Sequence, residues 1–306
     1  MSDSSREKNI RALVGMMNEP DPEFYGNFRE ALLEVGDEAI PYVDEALRKA
    51  TNEEECRRLQ DLLNTLQVEG VCRELTAWKA EEEPDLLRGF YLVSKAFYPS
   101  LEWTEVRDAF NSLFGDGWQM LDSSTYLRNT LARYNNFFFN ICGFSLGKKL
   151  TEAYSFADFF LPNLLHRRQG NERALALVYY YLAQRNRIPV FLFNLPIVNL
   201  LACTTDISLP NKDDVRFCID ITQRGAMVHR MDLEPVFSQK TQIQLCNTLQ
   251  ALQDYVKLLF LMVNLNEKET FKKETARKLY LCLGSSPLSA AFSPQPGDNL
   301  GEGDWS

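Results

Sequence analysis

Through the first eighty residues, apolar positions recur at the three-to-four spacing of amphipathic helices, in the segments IRALVGMM, FYGNFREALLEV, IPYVDEALRKA and CRRLQDLLNTLQVEGVCRELTAW. Pro20 and Pro22 part the first from the second, Gly36 stands where a helix C-terminus needs it, and Pro41 suits the first turn of the next. The acidic stretch AEEEPDLL, with Pro84, marks a module boundary. LLRGFYLVSKAFYPSLEWTEVRDAFNSLF then reads as an apolar helix, a break at Tyr98-Pro99 and an amphipathic helix. Asp122, Ser123 and Ser124 offer caps for a helix that enters the run Phe137, Phe138, Phe139. FADFFLPNLLHRRQ and NERALALVYYYLAQRN extend the helical pattern to Asn186. After Pro189 the period changes, and VFLFNLP, IVNLLACTT and RFCIDIT predict three short strands of a small antiparallel sheet. Helices resume after Pro235 with QIQLCNTLQALQDYVKLLFLMVNL and ETFKKETARKLYLCL. The Ser-, Pro- and Gly-rich end has the composition of a disordered terminus, so truncation after Gly284 is expected to leave the melting temperature nearly unchanged. The fold class is α+β, predominantly helical with a small antiparallel sheet: a helical lead-in over residues 1–82, a main domain over 83–285 and a tail over 286–306.

Composition narrows the functions. A chain of 306 residues with a net charge of -9 lacks the basic surface that nucleic-acid affinity needs, so nucleic acid is not an expected partner. The start, MSDSSREKNI, carries no apolar signal region, and the longest apolar runs are too short and too close to charges to span a bilayer. A cytoplasmic protein without membrane contact is expected. The seven cysteines fall in no metal-binding spacing and read as small core residues in a reducing compartment. With histidine only at His166 and His229, no metal site is expected. P-loop, GxGxxG and HExxH patterns are missing, so a nucleotide cofactor has no footing, and no cofactor is expected.

Two resemblances organise the rest. MNEPDPEFYGNFREALLEVGDEAIPYV resembles a HEAT-type repeat, with an acidic Pro-containing turn, a helix, a Gly turn and a second helix entered through Ile-Pro. A single such unit, like a generic helical hairpin, must stack on neighbours to bury its inner face. LLHRRQGNERALALVYYYLAQRNRIPVFLFNLP and RFCIDITQRGAMVHRMDLEP resemble the SirB-type branch of the transglutaminase-like superfamily. Upstream, LLRGFYLVSKAFYPSLEW is similar to that branch's helix with a Tyr-Pro turn, and NICGFSLG to its Gly-Phe-x-Gly-Asn turn, so the likeness covers roughly residues 84 to 240. A HEAT-like lead-in accompanies some bacterial members.

A thiol enzyme of this kind needs a cysteine at a helix N-terminus, an imidazole beside it and a carboxylate to orient the imidazole. The resemblance puts the cysteine position at Glu172, two residues after Gly170, and the histidine position at Val198 or Asn199. Only the acid, Asp220, is kept. None of the residues at the first two positions can serve as nucleophile or base, and Asp220 alone reads as a strand-end carboxylate that caps a turn or pairs with an arginine. The reading that follows is a pseudoenzyme that binds or scaffolds a protein or peptide partner. The competing reading is a cysteine protease or amidase with a rearranged site of Cys203, His229 and Asp220. In the first reading no cysteine should be hyper-reactive, and Cys203 is the one to watch. Arg167, Arg168 and Arg173, with Gly170, Asn171 and the amides that follow, could hold an anion at the helix start. His166 suits an exposed helix C-terminus. Because three consecutive side chains span about 200° of an α-helix, at least one ring of Phe137–Phe139 or Tyr179–Tyr181 should face outward or into a groove.

Overall fold

The computed structural model describes residues 3–120, 126–148, 153–194, 199–207, 212–234 and 243–284. No described helix is long and apolar enough to cross a membrane. Four helices open the chain: α1 (Asp3–Gly15), α2 (Pro22–Val35), α3 (Ile40–Lys49) and α4 (Glu53–Lys79). Local chemistry sets their ends. The Asp21 carboxylate accepts the Glu23 N–H with Pro22 in the first turn of α2, and Gly36 ends that helix at φ 72°. Asn52 caps α4 by accepting the Glu54 N–H.

Two hydrophobic cores meet along α4. Leu59, Leu62, Leu63 and Leu66 pack with Ile10, Met17, Leu32 and Val43, whereas Val71, Leu75 and Trp78 belong to the main core. The boundary expected at residues 82 and 83 therefore lies, for packing, inside α4 between Leu66 and Val71. The reason is length: a helix of 27 residues spans about 40 Å, more than one layer of helices can cover.

The main core is built on α5 (Leu86–Lys95), α6 (Trp103–Met120), α7 (Leu127–Asn135), α8 (Leu161–Arg167), α9 (Glu172–Arg185), α10 (Thr248–Asn266) and α11 (Thr270–Leu283). At its centre is α9, buried without a break from Glu172 to Tyr180. A two-residue parallel pair, β1 (Ser145–Leu146) with β2 (Gln169–Gly170), leads into it. The main sheet runs antiparallel in the order β3 (Val190–Leu192), β4 (Leu200–Cys203), β5 (Phe217–Asp220), β6 (Ala226–His229). The α+β class stands, with a fourth strand beyond the three that the sequence predicts. Residues 243–247 also depart from the expected helix. Leu245 bridges Phe193, and α10 begins only after Asn247, which accepts the Gln250 N–H while the Gln250 side chain accepts the Asn247 N–H.

The phenylalanine run differs from expectation as well. Phe137, Phe138 and Phe139 are all buried, because Asn136–Ile141 winds as a π-helical turn with partners on every side. Phe138 stacks on Phe144 at 4.6 Å and meets Tyr179 edge-on at 5.0 Å. The β5–β6 turn closes the outer side, where Arg224 donates to the Phe139 carbonyl and Asn135 donates to the Gly225 carbonyl. Of Tyr179, Tyr180 and Tyr181, only Tyr181 is left partly open. Asp122, Ser123, Ser124 and the tail over 286–306 lie outside the described residues.

Candidate functional site

The start of α9 is held by backbone bonds. Ser145 N–H donates to the Arg168 carbonyl, Gly147 N–H to the Gly170 carbonyl and Asn171 N–H to the Asp158 carbonyl. The Asn171 side chain caps the helix through the Ala174 N–H. The Asp158 carboxylate, itself buried, accepts from Lys148 N–H and Asn163 Nδ2. Both glycines are required by space: a Cβ on Gly147 would lie 2.4 Å from Asp158 Oδ2, and one on Gly170 would lie 2.8 Å from a Leu164 methyl. Gly170 to Arg173 thus form the turn into α9. Glu172 sits in the first helical turn, 4% exposed, where the helix dipole favours a negative charge.

Sheet register places Asn199 and Asp220, two of the positions named by the resemblance, at the same end of the molecule. Arg173, wholly buried, donates to the Phe193 carbonyl at 2.8 Å, so the start of α9 lies against the C-terminal end of β3. Leu192 pairs with Leu201, and one step further sets Phe193 level with Leu200, which pairs in turn with Asp220. Asn199 is the residue before β4, and its carbonyl accepts the Ile221 N–H. Val198 lies outside the described residues. Asp220 caps a turn, its carboxylate accepting from the Thr222 N–H at 2.8 Å and the Thr222 hydroxyl at 2.7 Å.

The rearranged cysteine site does not assemble. Cys203 pairs with Phe217, and Phe217 with His229, so the three share one face with the Phe217 ring between thiol and imidazole. Two strand spacings separate the outer pair by about 9.5 Å. Asp220 is three residues from Phe217 and so points to the other face. Burial pushes the Cys203 thiol up to about 12, and it pushes those of Cys218 and Cys246 up similarly. The cysteines are not all core residues, however: Cys56, Cys72, Cys142 and Cys282 are half-buried. Among the described residues no group of His, Cys, Asp and Glu is placed to hold a metal.

Nor do the arginines gather at an anion site. The Arg173 guanidinium turns inward, 3.7 Å from Asp254, and desolvation lowers its pKa. Arg168, left-handed at φ 56° after α8, lies over the Phe144 ring, while Arg167 is exposed. His166 is exposed in the last turn of α8, 3.9 Å from Glu105.

The C-terminal half of α9 shapes a feature that the sequence does not single out. A cavity of about 670 Å³ opens between the loop joining α4 to α5, the outer side of α9 and the start of α10. Its apolar lining includes Leu86, Tyr180, Tyr181 and Leu249, and its rim carries Glu81, Glu82, Glu83 and Asp85. Lys79 and Arg185 also line it, and Arg185 is engaged by Asn111 at 3.0 Å and lies over the Phe114 ring. Among the described residues Glu81, Glu82 and Glu83 pair with no cation, and all three are exposed. Burial, and secondarily the Asp85 carboxylate, hold the Tyr181 hydroxyl above its usual pKa. The signal in the sequence was present in part: the run EEEPD read as a boundary, and the runs Phe137–Phe139 and Tyr179–Tyr181 were expected to turn at least one ring outward or into a groove.

A protein-family model described as the transglutaminase-like superfamily matches residues 104–262. No curated protein matches the chain.

Proposed function

The chain belongs to the transglutaminase-like superfamily, and from that premise we propose that it is a non-catalytic member of the SirB-type branch that binds a basic segment of a partner protein. The observation that carries this reading is the cleft beside α9, where the exposed Glu81, Glu82 and Glu83, with Asp85, outnumber Lys79 and Arg185 around an aromatic floor. Such a site suits lysine or arginine side chains, whose stems pack on tyrosine rings while their charges meet carboxylates. Support for a non-catalytic role comes from Glu172 at the position where the family's thiol would stand, and from Cys203 and His229 being kept apart by the Phe217 ring.

Fluorescence anisotropy with a labelled Lys/Arg- and Leu-containing peptide tests the proposal. Saturable binding that weakens with added salt is expected. The triple change Glu81→Gln, Glu82→Gln, Glu83→Gln should weaken it roughly tenfold, and Tyr181→Ala should weaken it as well. Equal binding of a peptide with Asp/Glu in place of Lys/Arg would overturn the proposal. Thiol-dependent peptide or amide hydrolysis that vanishes in Cys203→Ser would support the hydrolase reading instead.

A further inference from the structure

The contact between α4 and α11 brings two cysteines together that are 210 residues apart in the chain (282 − 72). Lys278 Nζ of α11 lies 3.2 Å from Glu69 Oε1 of α4. Further along, Lys79 Nζ lies 2.7 Å from where a Cβ on Gly284 would stand, at the C-terminal end of α11. The two helices therefore run side by side in the same direction. One turn on from the Glu69–Lys278 pair, Cys72 and Cys282 occupy the same facing sides, near enough for each thiol to act on the other's ionisation. Both are free and half-buried, unlike Cys203, Cys218 and Cys246.

The surroundings distinguish the two sulfurs. The neighbouring Cys72 thiol, with the positive charge of Lys278 and Lys79, brings Cys282 down to about 7. The Cys282 neighbour, with burial and the Glu69 carboxylate, pushes Cys72 up. Near neutral pH about half of the Cys282 thiols, on α11, are therefore ionised, beside a Cys72 thiol, on α4, that keeps its proton.

We propose that Cys72 and Cys282 form a thiol–disulfide exchange couple whose substrate is a low-molecular-weight disulfide. The Cys282 thiolate attacks one sulfur of the small disulfide, forming a mixed disulfide and expelling one small thiolate. Cys72 gives its proton to solvent or to that leaving thiolate, and its sulfur displaces the second small thiolate from Cys282. The protein loses two electrons and two protons, and the small disulfide is reduced to two thiols. The product bond ties α4 to α11, and excess small thiol reverses both steps. The couple replaces the expectation, read from the sequence, that no cysteine is hyper-reactive, and it is otherwise independent of the peptide-binding proposal.

The full chain is incubated near neutral pH with glutathione disulfide, quenched in acid and digested with trypsin. Cleavage after Arg58, Arg73 and Lys278 releases peptides 59–73 and 279–306, each with a single cysteine. The expected product is these two peptides linked, lighter by two hydrogens and separated again by dithiothreitol. Cys72→Ser should accumulate glutathione on Cys282, whereas Cys282→Ser should leave Cys72 unmodified. Iodoacetamide should label Cys282 of the reduced chain roughly fourfold faster than Cys56 at neutral pH, with a half-maximal rate near pH 7. Wild-type protein that keeps glutathione on Cys282 without forming the cross-link would overturn the proposal, as would labelling of Cys282 no faster than that of Cys56. The wild-type cross-link and labelling rates decide the matter even if a serine variant fails to fold.

Discussion

Arg173 is the most consequential single side chain in the main core, because its guanidinium is fully buried and answers both the Phe193 carbonyl and Asp254. Arg173→Met fills the same space without the charge, yet leaves that carbonyl and carboxylate short of a donor. It should lower stability by about 2–4 kcal/mol, read as a lower urea midpoint at an unchanged m-value. Gly147→Ala should cost about 1–3 kcal/mol in the same assay, since the Asp158 carboxylate that its methyl would strike is fixed by Lys148 and Asn163. At this scale the sequence was legible where a residue's chemistry has one local use. Gly36 ends a helix and Asp220 caps a turn, as their types suggest. Arg173 was not legible, because the pattern RRQGNER shows three arginines within seven residues and nothing of which one turns inward.

At the scale of elements, periodicity located the described helices well and failed where apolar runs join. QIQLCNTLQALQDYVKLLFL reads as one helix, but Leu245 bridges Phe193, the Cys246 N–H donates to the Leu192 carbonyl, and Asn247 caps the start of α10. The Asn-x-x-Gln capping box was in the sequence, and the surrounding leucines obscured it. Asn247→Ala should cost about 1 kcal/mol, and Asn247→Asp should restore most of it, in thermal or urea unfolding. The fourth strand, AMVH, gave no alternating signal because it is a sheet edge with only Met227 and Val228 half-buried and both ends exposed. The site divides in the same way. Gly170 to Arg173 and Asp220 could be placed from motifs, whereas the cleft joins Glu81–Asp85 to Tyr180, Tyr181 and Leu249 across distances in sequence that no local pattern encodes.

For the molecule as a whole, α4 decides what can stand alone. A fragment that begins at Pro84 discards Val71, Leu75 and Trp78, whose burial contributes roughly 2 kcal/mol or more each to the main core. It should aggregate or show weak tertiary signals, whereas a fragment beginning at Asn52 should keep near-native near-ultraviolet circular dichroism. Size-exclusion chromatography alongside those spectra separates the outcomes. A fully folded Pro84 fragment would show that the main core closes without α4.

The same sharing of α4 sets a timetable for the nascent chain. Its first half can join α1, α2 and α3 as soon as residue 66 has left the ribosome, since every member of that core precedes it. Its second half cannot finish packing then, because Leu279 and Leu283 of α11 belong to the core that holds Leu75 and Trp78. At a synthesis rate of about 5–20 residues per second, those side chains wait roughly 10–40 s for their last partners. For that interval a finished helical lead-in carries an unfinished apolar edge into the cell, which makes the second half of α4 the place where a chaperone has most to protect.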